Sequence, residues 1–183
     1  MKLNLGCWHR YIPGFIHVDL CDMPHIDHIS NIDSLPFISD ESVDLIYVSH
    51  AFEYFDLDHA SKVLSEWRRV LKKRGVLRMS VPDFDQLLKI YEESNDINKI
   101  LGPLYGRMEI QTEEDNVHLF HKTVYNFESL SSLLSSNGFT NVKRYRWQET
   151  IHKDYDDHSQ AYFPHMDKEN GIMVSLNIEA SKK

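Results

Sequence analysis

The sequence predicts an α/β fold, with one mostly parallel β-sheet, helices on both of its faces, an antiparallel last strand, and a first helix that is shortened or absent. The main observation is an alternation of apolar, strand-like runs with helical patterns along the 183 residues. The first two predicted strands leave room for only about one helical turn between them. The last two are joined by a polar stretch, and no domain boundary interrupts residues 1–183.

Six runs are predicted as strands because they are short, apolar and bounded by turn residues. They are residues 2–5, 15–19, 43–48, 76–81, 141–147 and 172–180. Strands that alternate with helices favour parallel crossover connections. The polar stretch 152–170 breaks this alternation, so we expect the final strand to run antiparallel to its neighbours.

Three segments have the apolar period of amphipathic helices. Residues 59–73 form the strongest of them, and Arg74-Gly75 after this segment is typical of a helix end. Residues 83–94 form the second helix. Residues 127–136 form the third, and Asn126 is expected to cap its first turn.

Charge and cysteine content exclude several classes of protein. A formal charge of −8 argues against a broad nucleic-acid surface. Cys7 and Cys21 are too few for a zinc knuckle or a disulfide framework. The chain begins without the long apolar core of a signal peptide, and no apolar run approaches membrane-spanning length. We therefore expect a soluble, cytoplasmic protein whose partners include neither nucleic acid nor a membrane.

A glycine and an aspartate at two neighbouring strand ends indicate a nucleotide site. Gly6 follows the first predicted strand, and Asp19 ends the second. In Rossmann-like sheets such a glycine lets a ligand approach the backbone, and the acid accepts hydrogen bonds from the ribose hydroxyls. Two alternatives remain open: Gly6 could form an ordinary tight turn, and Asp19 could be a solvated loop residue. The usual further glycines are absent, and Trp8 stands in place of a small residue.

Five segments, in the right order, resemble motifs of the class I S-adenosylmethionine-dependent methyltransferases. They are LNLGC (3–7), LPF (35–37) with DESVDLI (40–46), SHAFEY (49–54), EWRRVLKKRGVL (66–77), and FESL (127–130) with GF (138–139). PGFIHVDL (13–20) is similar to a compact, type 11-like branch of predicted methyltransferases. The resemblance covers most of the chain and implies a Rossmann-like fold, S-adenosyl-L-methionine as the cofactor and methyl transfer as the activity.

The resemblance also implies which residues bind the cofactor. The Asp19 carboxylate would accept from the ribose, the Asn31 amide oxygen would accept from the adenine amino group, and the Ile32 backbone N–H would donate to the ring. Ser49 and His50 would border the methionine portion. Asn31 could instead be a turn residue, and His50 could pack sideways at a strand end. The full predicted set is Leu5, Gly6, Cys7, Trp8, Asp19, Leu20, Asn31, Ile32, Ser49 and His50.

Trp8 has three interpretations. Its indole could fill the volume left by a short first helix, which is the interpretation that we favour. It could also lie against the positive sulfur or the carboxylate end of the cofactor. If it blocks the pocket, the chain is a catalytically inactive binding or regulatory protein with a methyltransferase fold. A nicotinamide-dependent reductase is disfavoured, because only Gly6 lies where a pyrophosphate cradle is needed.

Relatives of this compact type are associated with surface polysaccharides, so the resemblance implies a small-molecule or saccharide acceptor that is methylated at oxygen. A hydroxyl acceptor benefits from a base that removes its proton. His121 is the better candidate, and His118 is the second. The two histidines could also bind a metal, but no third ligand is evident, so no metal is predicted. No Asn-Pro-Pro-Tyr type segment follows the fourth strand, which disfavours amine methylation of nucleic acid.

Three loops are expected to hold the acceptor, namely 83–85, 102–125 and 152–165. The last loop contains DYDDH (154–158), which we interpret as a solvated acidic segment rather than the metal-binding motif of a glycosyltransferase. It also contains apolar side chains that could close over the site as a lid or pack on a second subunit in a homodimer. These are Tyr162, Phe163 and Met166.

Overall fold

Eleven strands are present in the computed structural model, which describes residues 1–111 and 116–183. They are β1 (Lys2–Leu5), β2 (Ile16–Asp19), β3 (His28–Ile29), β4 (Val43–Ser49), β5 (Leu71–Pro82), β6 (Met108–Gln111), β7 (Asn116–Leu119), β8 (Phe139–Arg144), β9 (Tyr162–Phe163), β10 (Ile172–Met173) and β11 (Ser175–Lys182). Seven of them form one sheet in the order β3-β2-β1-β4-β5-β11-β8. The strands from β1 to β5 are parallel, whereas β11 is antiparallel to both β5 and β8.

Four α-helices lie in the described part of the chain, and a polar side chain caps the first turn of each except α3. They are α1 (Leu57–Val70), α2 (Phe84–Ser94), α3 (Asn98–Tyr105) and α4 (Phe127–Ser136). The Asn126 side chain accepts from the backbone N–H of Ser129, and the Ser129 hydroxyl accepts from the backbone N–H of Asn126, which confirms the predicted cap. None of the helices in the described part of the chain is long and apolar enough to cross a membrane.

The main core lies on one face of the sheet. Ile46 and Val48 of β4 point to this face, and α1 contributes Trp67, which is fully buried there. The neighbouring residues of β4, Leu45 and Tyr47, point to the opposite face because side chains alternate along a strand. There they pack against Ile12 and Phe15. These two residues come from the segment between β1 and β2, which contains no helix.

The predicted fold is confirmed, with a mostly parallel sheet, an antiparallel last strand and no first helix. The bounds of several predicted elements were wrong. The strand predicted over 141–147 is β8, Phe139–Arg144. The helix predicted over 59–73 ends at Val70, because Leu71 has extended backbone and starts β5, so Arg74-Gly75 lie inside a strand. The strand predicted over 172–180 is divided at Val174 into β10 and β11.

Four elements were not predicted, namely β3, α3, the antiparallel β6–β7 pair and β9, which pairs with β10. Strands β3, β9 and β10 contain two residues each, which is too short for a periodic signal. Helix α3 has eight residues and contains Pro103, which normally argues against a helix interior. All four elements are stabilised by pairing or packing that the local sequence does not encode.

Candidate functional site

A cavity of about 860 Å³ opens at the carboxyl ends of β1, β2 and β4. Ligands of open α/β sheets bind at this edge. Nine of the ten residues predicted to bind the cofactor line it. They are Gly6, Cys7, Trp8, Asp19, Leu20, Asn31, Ile32, Ser49 and His50. The tenth, Leu5, is fully buried in the core beneath it. The structure thus brings this set together, and its role in binding stays a prediction.

Gly6 allows the turn after β1 to pass close to the end of β4. Its φ is +64°, and its backbone N–H donates to the Val18 carbonyl at 2.9 Å. A Cβ at this position would lie 2.5 Å from the Ala51 Cβ, which is closer than such atoms can approach. The glycine is therefore required by the turn itself, in addition to lining the cavity.

The Asp19 carboxylate is held in place by two backbone donors. Oδ2 accepts from the Trp8 N–H at 2.7 Å, and Oδ1 accepts from the Cys21 N–H at 2.9 Å. The residue is only 6% exposed, so the alternative of a solvated loop aspartate was wrong. Each oxygen of a carboxylate can accept more than one hydrogen bond. Asp19 can therefore keep these contacts and still receive donors from a ligand in the cavity.

Trp8 forms part of the cavity wall, and the indole is not a core side chain. It is 40% exposed, and its backbone has a φ of +44°. The Trp8 carbonyl is contacted by His25 Nε2 at 2.8 Å, which helps to hold this strained backbone. The preferred interpretation of core filling was wrong, because Ile12 and Phe15 occupy that position. The indole remains available to contact a ligand.

Asn31 and Ile32 sit on a short segment that is tied to α1. The Ile32 carbonyl accepts from Trp67 Nε1 at 2.8 Å, and the Ile32 side chain is buried. The Asn31 side chain is exposed on the cavity wall, and its Oδ1 lies 3.5 Å from the Asp33 N–H. This long contact leaves both interpretations of Asn31 open, a turn residue and a cavity acceptor.

A buried polar network lies beneath the end of β4. Asp157 accepts from the Tyr47 hydroxyl at 2.6 Å and from the Ser49 hydroxyl at 3.2 Å, and it is 5% exposed. The interpretation of residues 154–158 as a solvated acidic loop was therefore wrong for Asp157. The next residue, His158, lines the cavity, with its ring centroid 5.3 Å from that of His50.

Three ionisable side chains converge beside this network. Glu53 Oε1 lies 3.6 Å from His50 Nδ1 and 3.6 Å from His121 Nε2. Burial raises the pKa of Glu53 to about 8, and its own backbone N–H offsets that rise only in part. Burial lowers the pKa of His50 well below its usual value and also lowers the pKa of His121. At neutral pH, all three groups are therefore mainly uncharged.

The two predicted catalytic histidines are in different environments. His121 lines the cavity, and its ring occupies the place that a Cβ on Gly106 would need. His118 lies on β7, where its side chain is 40% exposed and contacts Arg107 at 2.9 Å and Glu109 at 3.4 Å. It is not among the cavity residues. No group of side chains in the described ranges could hold a metal ion.

The far wall of the cavity comes from α3, the β6–β7 hairpin and the loop before α4. Part of the predicted acceptor loop 102–125, residues 112–115, lies outside the described residues. The predicted lid is packed within this chain, since Phe163 joins a cluster with Leu87 and Ile100. Ala161 and Val174, which flank the β9–β10 pair, line the cavity.

Sequence reasoning did not single out Arg10, Glu53, Tyr54, Asp157 or His158 as site residues. Arg10, Tyr54, Asp157 and His158 line the cavity, and Glu53 lies behind the histidines. One signal could have found Glu53, because it falls in the SHAFEY segment between two aromatic residues, Phe52, which is buried, and Tyr54, which is half-buried. A charged residue among buried aromatics is rarely accidental.

Comparison with known families agrees with this geometry. Residues 17–79 match the model of a family that is described as a methyltransferase domain. The matched range begins in β2 and ends in β5, so it contains Asp19, Asn31 and His50. No curated protein gave a significant match.

Several solved structures with a similar fold are described as methyltransferases. A Thermotoga maritima protein, described as a possible histamine N-methyltransferase, is 18% identical with a TM-score of 0.61, and the alignment covers 100% of this chain and 82% of that one. An Archaeoglobus fulgidus S-adenosylmethionine-dependent methyltransferase is 17% identical with a TM-score of 0.56, and the alignment covers 99% of this chain and 85% of that one. The Burkholderia thailandensis 1,6-didemethyltoxoflavin-N1-methyltransferase, solved with S-adenosylhomocysteine, is 13% identical with a TM-score of 0.56. That alignment covers 100% of this chain and 70% of the other.

At identities this low, similarity to solved structures establishes only the fold. The family match is independent of it and includes predicted cofactor residues at the strand ends, among them Asp19, Asn31 and His50. Residues 17–79 therefore carry the match to a methyltransferase domain, and the whole chain has the fold of S-adenosylmethionine-dependent methyltransferases, which indicates S-adenosylmethionine as the cofactor.

Proposed function

We propose that this methyltransferase transfers a methyl group to a hydroxyl oxygen of a small-molecule or sugar-type acceptor. The observation that carries the proposal is the pair of uncharged histidines, His50 and His121, on the cavity wall. A hydroxyl must lose its proton as it attacks carbon, so it gains more from a nearby base than amines or thiols do. A neutral imidazole nitrogen with a free lone pair can accept that proton.

The residues at the strand ends suit the cofactor. S-adenosylmethionine, when bound, supplies a methyl group that is already activated by a positive sulfur. The Asp19 carboxylate would accept from the ribose hydroxyls, and Asn31 with Ile32 would face the adenine. The exposed Trp8 ring would lie beside the sulfonium end, where an aromatic face attracts positive charge. These residues bind and orient the cofactor.

The dimensions and charge of the molecule support a small acceptor. A volume of about 860 Å³ lies near the upper end of the range for small-molecule sites, roughly 300–1,000 Å³, so one chamber can hold the cofactor and a small second substrate. A formal charge of −8 is unfavourable for binding nucleic acid. Two buried free cysteines suit the reducing cytoplasm, where we place the reaction.

Turnover with a panel of acceptors tests this proposal. The purified chain would be incubated with S-adenosylmethionine and separate sugars, sugar nucleotides, phenols, amines and thiols, and both S-adenosylhomocysteine and methylated product would be measured. We expect methylation of a hydroxyl compound. His121→Ala should lower kcat by about 10²–10⁴-fold, the usual contribution of a general base.

His118→Ala is the matched control, since it removes an exposed imidazole three residues away in the sequence and outside the cavity. It should leave turnover near the wild-type value. Preferential methylation of amines or thiols, or equal rates for the two variants, would contradict the proposal.

A further inference from the structure

Arg10 is a cation on the cavity wall without an anionic partner. Its side chain lines the cavity, and it makes neither an ion pair nor a side-chain hydrogen bond with any of the described residues. Its backbone is fixed, since its N–H donates to the Cys7 carbonyl at 2.8 Å and its carbonyl lies 3.4 Å from Asn4 Nδ2. A guanidinium is always charged and carries five N–H donors. Arg10 therefore presents an unused anion-binding group to the cavity.

The acidic residues that share a wall with Arg10 do not neutralise it. Asp154, Asp156 and Asp157 line a smaller cavity of about 280 Å³ together with Arg10. Asp156 pairs instead with Lys168 at 3.0 Å. Asp157 already accepts three hydrogen bonds within the polar network beneath β4. In a chain with a formal charge of −8, the charge of Arg10 is thus left without a paired carboxylate in the described residues.

The imidazoles beside Arg10 carry little charge at neutral pH. Burial lowers the pKa of His158 and of His9 below the usual value, and the positive charge of Arg10 lowers both further. Such an effect weakens with distance, so the guanidinium lies close to both rings. Arg10 is therefore the group that supplies positive charge at this end of the cavity.

The loop that carries Arg10 lacks the backbone donors that usually attract an anion at this place. In Rossmann-like folds a helix begins after the glycine turn, and its first N–H groups and its dipole favour negative charge. No helix lies between β1 and β2 in this chain. Four N–H groups of the segment already have acceptors within the protein, namely those of Gly6, Trp8, Arg10 and Ile12. The loop therefore depends on a side chain more than on its backbone to bind an anion.

The order of the strands puts Arg10 at the methionine end of the predicted cofactor site. Asp19 ends β2 and Asn31 follows β3, whereas His50 follows β4 on the other side of β1. Arg10 is on the side of His50, because it lies beside His158, whose ring centroid is 5.3 Å from that of His50. A cofactor with its ribose at Asp19 and its adenine at Asn31 extends its methionine portion towards His50. The carboxylate, which is the only anionic group of S-adenosylmethionine, belongs to that portion.

We propose that the Arg10 guanidinium binds the carboxylate of S-adenosylmethionine and provides the donors that an absent first helix cannot provide. A guanidinium and a carboxylate can form two parallel N–H···O bonds, which fix orientation as well as adding affinity. Arg10 is thus a positioning residue for the methionine portion, and no bond to it forms or breaks. The inference does not depend on which acceptor receives the methyl group.

Calorimetry with two ligands tests this contact on the full chain. S-adenosylhomocysteine has the same carboxylate as the cofactor, and in its decarboxylated analogue a hydrogen atom replaces that group. The wild type should bind the analogue about 10–150-fold more weakly, because the charged donor loses its partner. Equal wild-type affinities for the two ligands would overturn the proposal, and this comparison needs no variant.

Arg10→Gln tests whether Arg10 is the donor. This variant should bind S-adenosylhomocysteine at least about tenfold more weakly than the wild type. It should bind the decarboxylated analogue as tightly as the wild type does, because the two changes remove the same interaction. A loss of the same size for both ligands would overturn the proposal, since Arg10 would then act by holding the loop 154–157. Unchanged affinity for S-adenosylhomocysteine would also overturn it.

Arg146→Gln is the matched control for charge. It also removes one positive charge, but the Arg146 side chain is 74% exposed, pairs with Glu149 and does not line the cavity. Its affinities for both ligands should equal those of the wild type, and a loss as large as that of Arg10→Gln would contradict a specific contact. Arg10→Lys keeps the charge but not the two parallel donors, so it should recover only part of the lost affinity. Arg10→Gln should melt close to the wild type, because it removes no contact among the described residues.

Discussion

The two walls of the cavity differ in how far apart in sequence their contacts lie. On the cofactor wall, Gly6 and Asp19 follow directly from the strands that end there, and Asp19 accepts from Trp8 only eleven residues away. On the far wall, which would face the acceptor, the Gly106 carbonyl accepts from the Tyr54 hydroxyl 52 residues away, and the Lys122 N–H donates to the Glu53 carbonyl. The first wall is encoded locally, whereas the second exists only after the whole sheet has formed.

This difference explains how the two walls could serve different purposes. A wall built from strand ends is held by the backbone of the sheet and suits a constant ligand such as the cofactor. A wall built from α3, a hairpin and a long loop can change sequence without disturbing the sheet, so it suits a variable acceptor. The boundary between the two walls contains Glu53, His50 and His121, since His50 follows β4 and His121 precedes α4.

The largest expected effect is that of adding a side chain at Gly6, where the turn after β1 passes close to Ala51. Gly6→Ala adds a Cβ that would lie 2.5 Å from Ala51, at a residue with a φ of +64°. We expect a loss of about 2–4 kcal/mol in the free energy of unfolding, measured by urea denaturation, from strain and overpacking together.

Gly14→Ala is the control, because Gly14 has a φ of +79° and a Cβ added there would meet no atom within 4 Å. It should lose only about 1 kcal/mol, the cost of the backbone conformation alone. If the two variants are equally stable, the contact between the β1 turn and Ala51 does not determine the choice of glycine.

A smaller effect is expected for the acid at the end of β2. Asp19→Ala should weaken binding of S-adenosylhomocysteine by about 1–3 kcal/mol, roughly 5–150-fold, because ligand donors lose their buried acceptor. The measurement is isothermal titration calorimetry on folded protein.

Asp27→Ala is a matched control for that titration. Asp27 also accepts from a backbone N–H, that of His17 at 2.8 Å, but its side chain is 51% exposed and it does not line the cavity. The Asp27→Ala variant should bind S-adenosylhomocysteine as tightly as the wild type does. Equal losses in both variants would show that the cavity does not use Asp19 as an acceptor.

The contrast between contacts that are close in sequence and contacts that are distant also explains which site residues the sequence could predict. Gly6, Asp19, Ser49 and His50 could be predicted because each ends or follows an apolar run that forms a strand, whereas Asn31 and Ile32 were named only from the resemblance to a family. Asp157 was missed because nothing next to it in the sequence shows that Tyr47 and Ser49 will donate to it. His118 and His121 have similar neighbours in sequence, and only the packing of Gly106 against the His121 ring distinguishes them.

Trp8 is where the sequence was most ambiguous, and its expected effect is the smallest. The indole is 40% exposed on the cavity wall, so we regard it as a surface that the cofactor contacts. Removal of a partly exposed aromatic contact to a cation costs about 0.5–1 kcal/mol. Trp8→Ala should therefore bind S-adenosylmethionine only a few-fold more weakly than the wild type.

Calorimetric titration of the wild type and Trp8→Ala with S-adenosylmethionine is the most direct test of the claim that these strand ends form a working cofactor site. We expect one equivalent bound per wild-type chain and slightly weaker binding by the variant. No binding by the folded wild type at millimolar ligand, together with binding restored in Trp8→Ala, would contradict it, because the indole would then occupy the place of the cofactor.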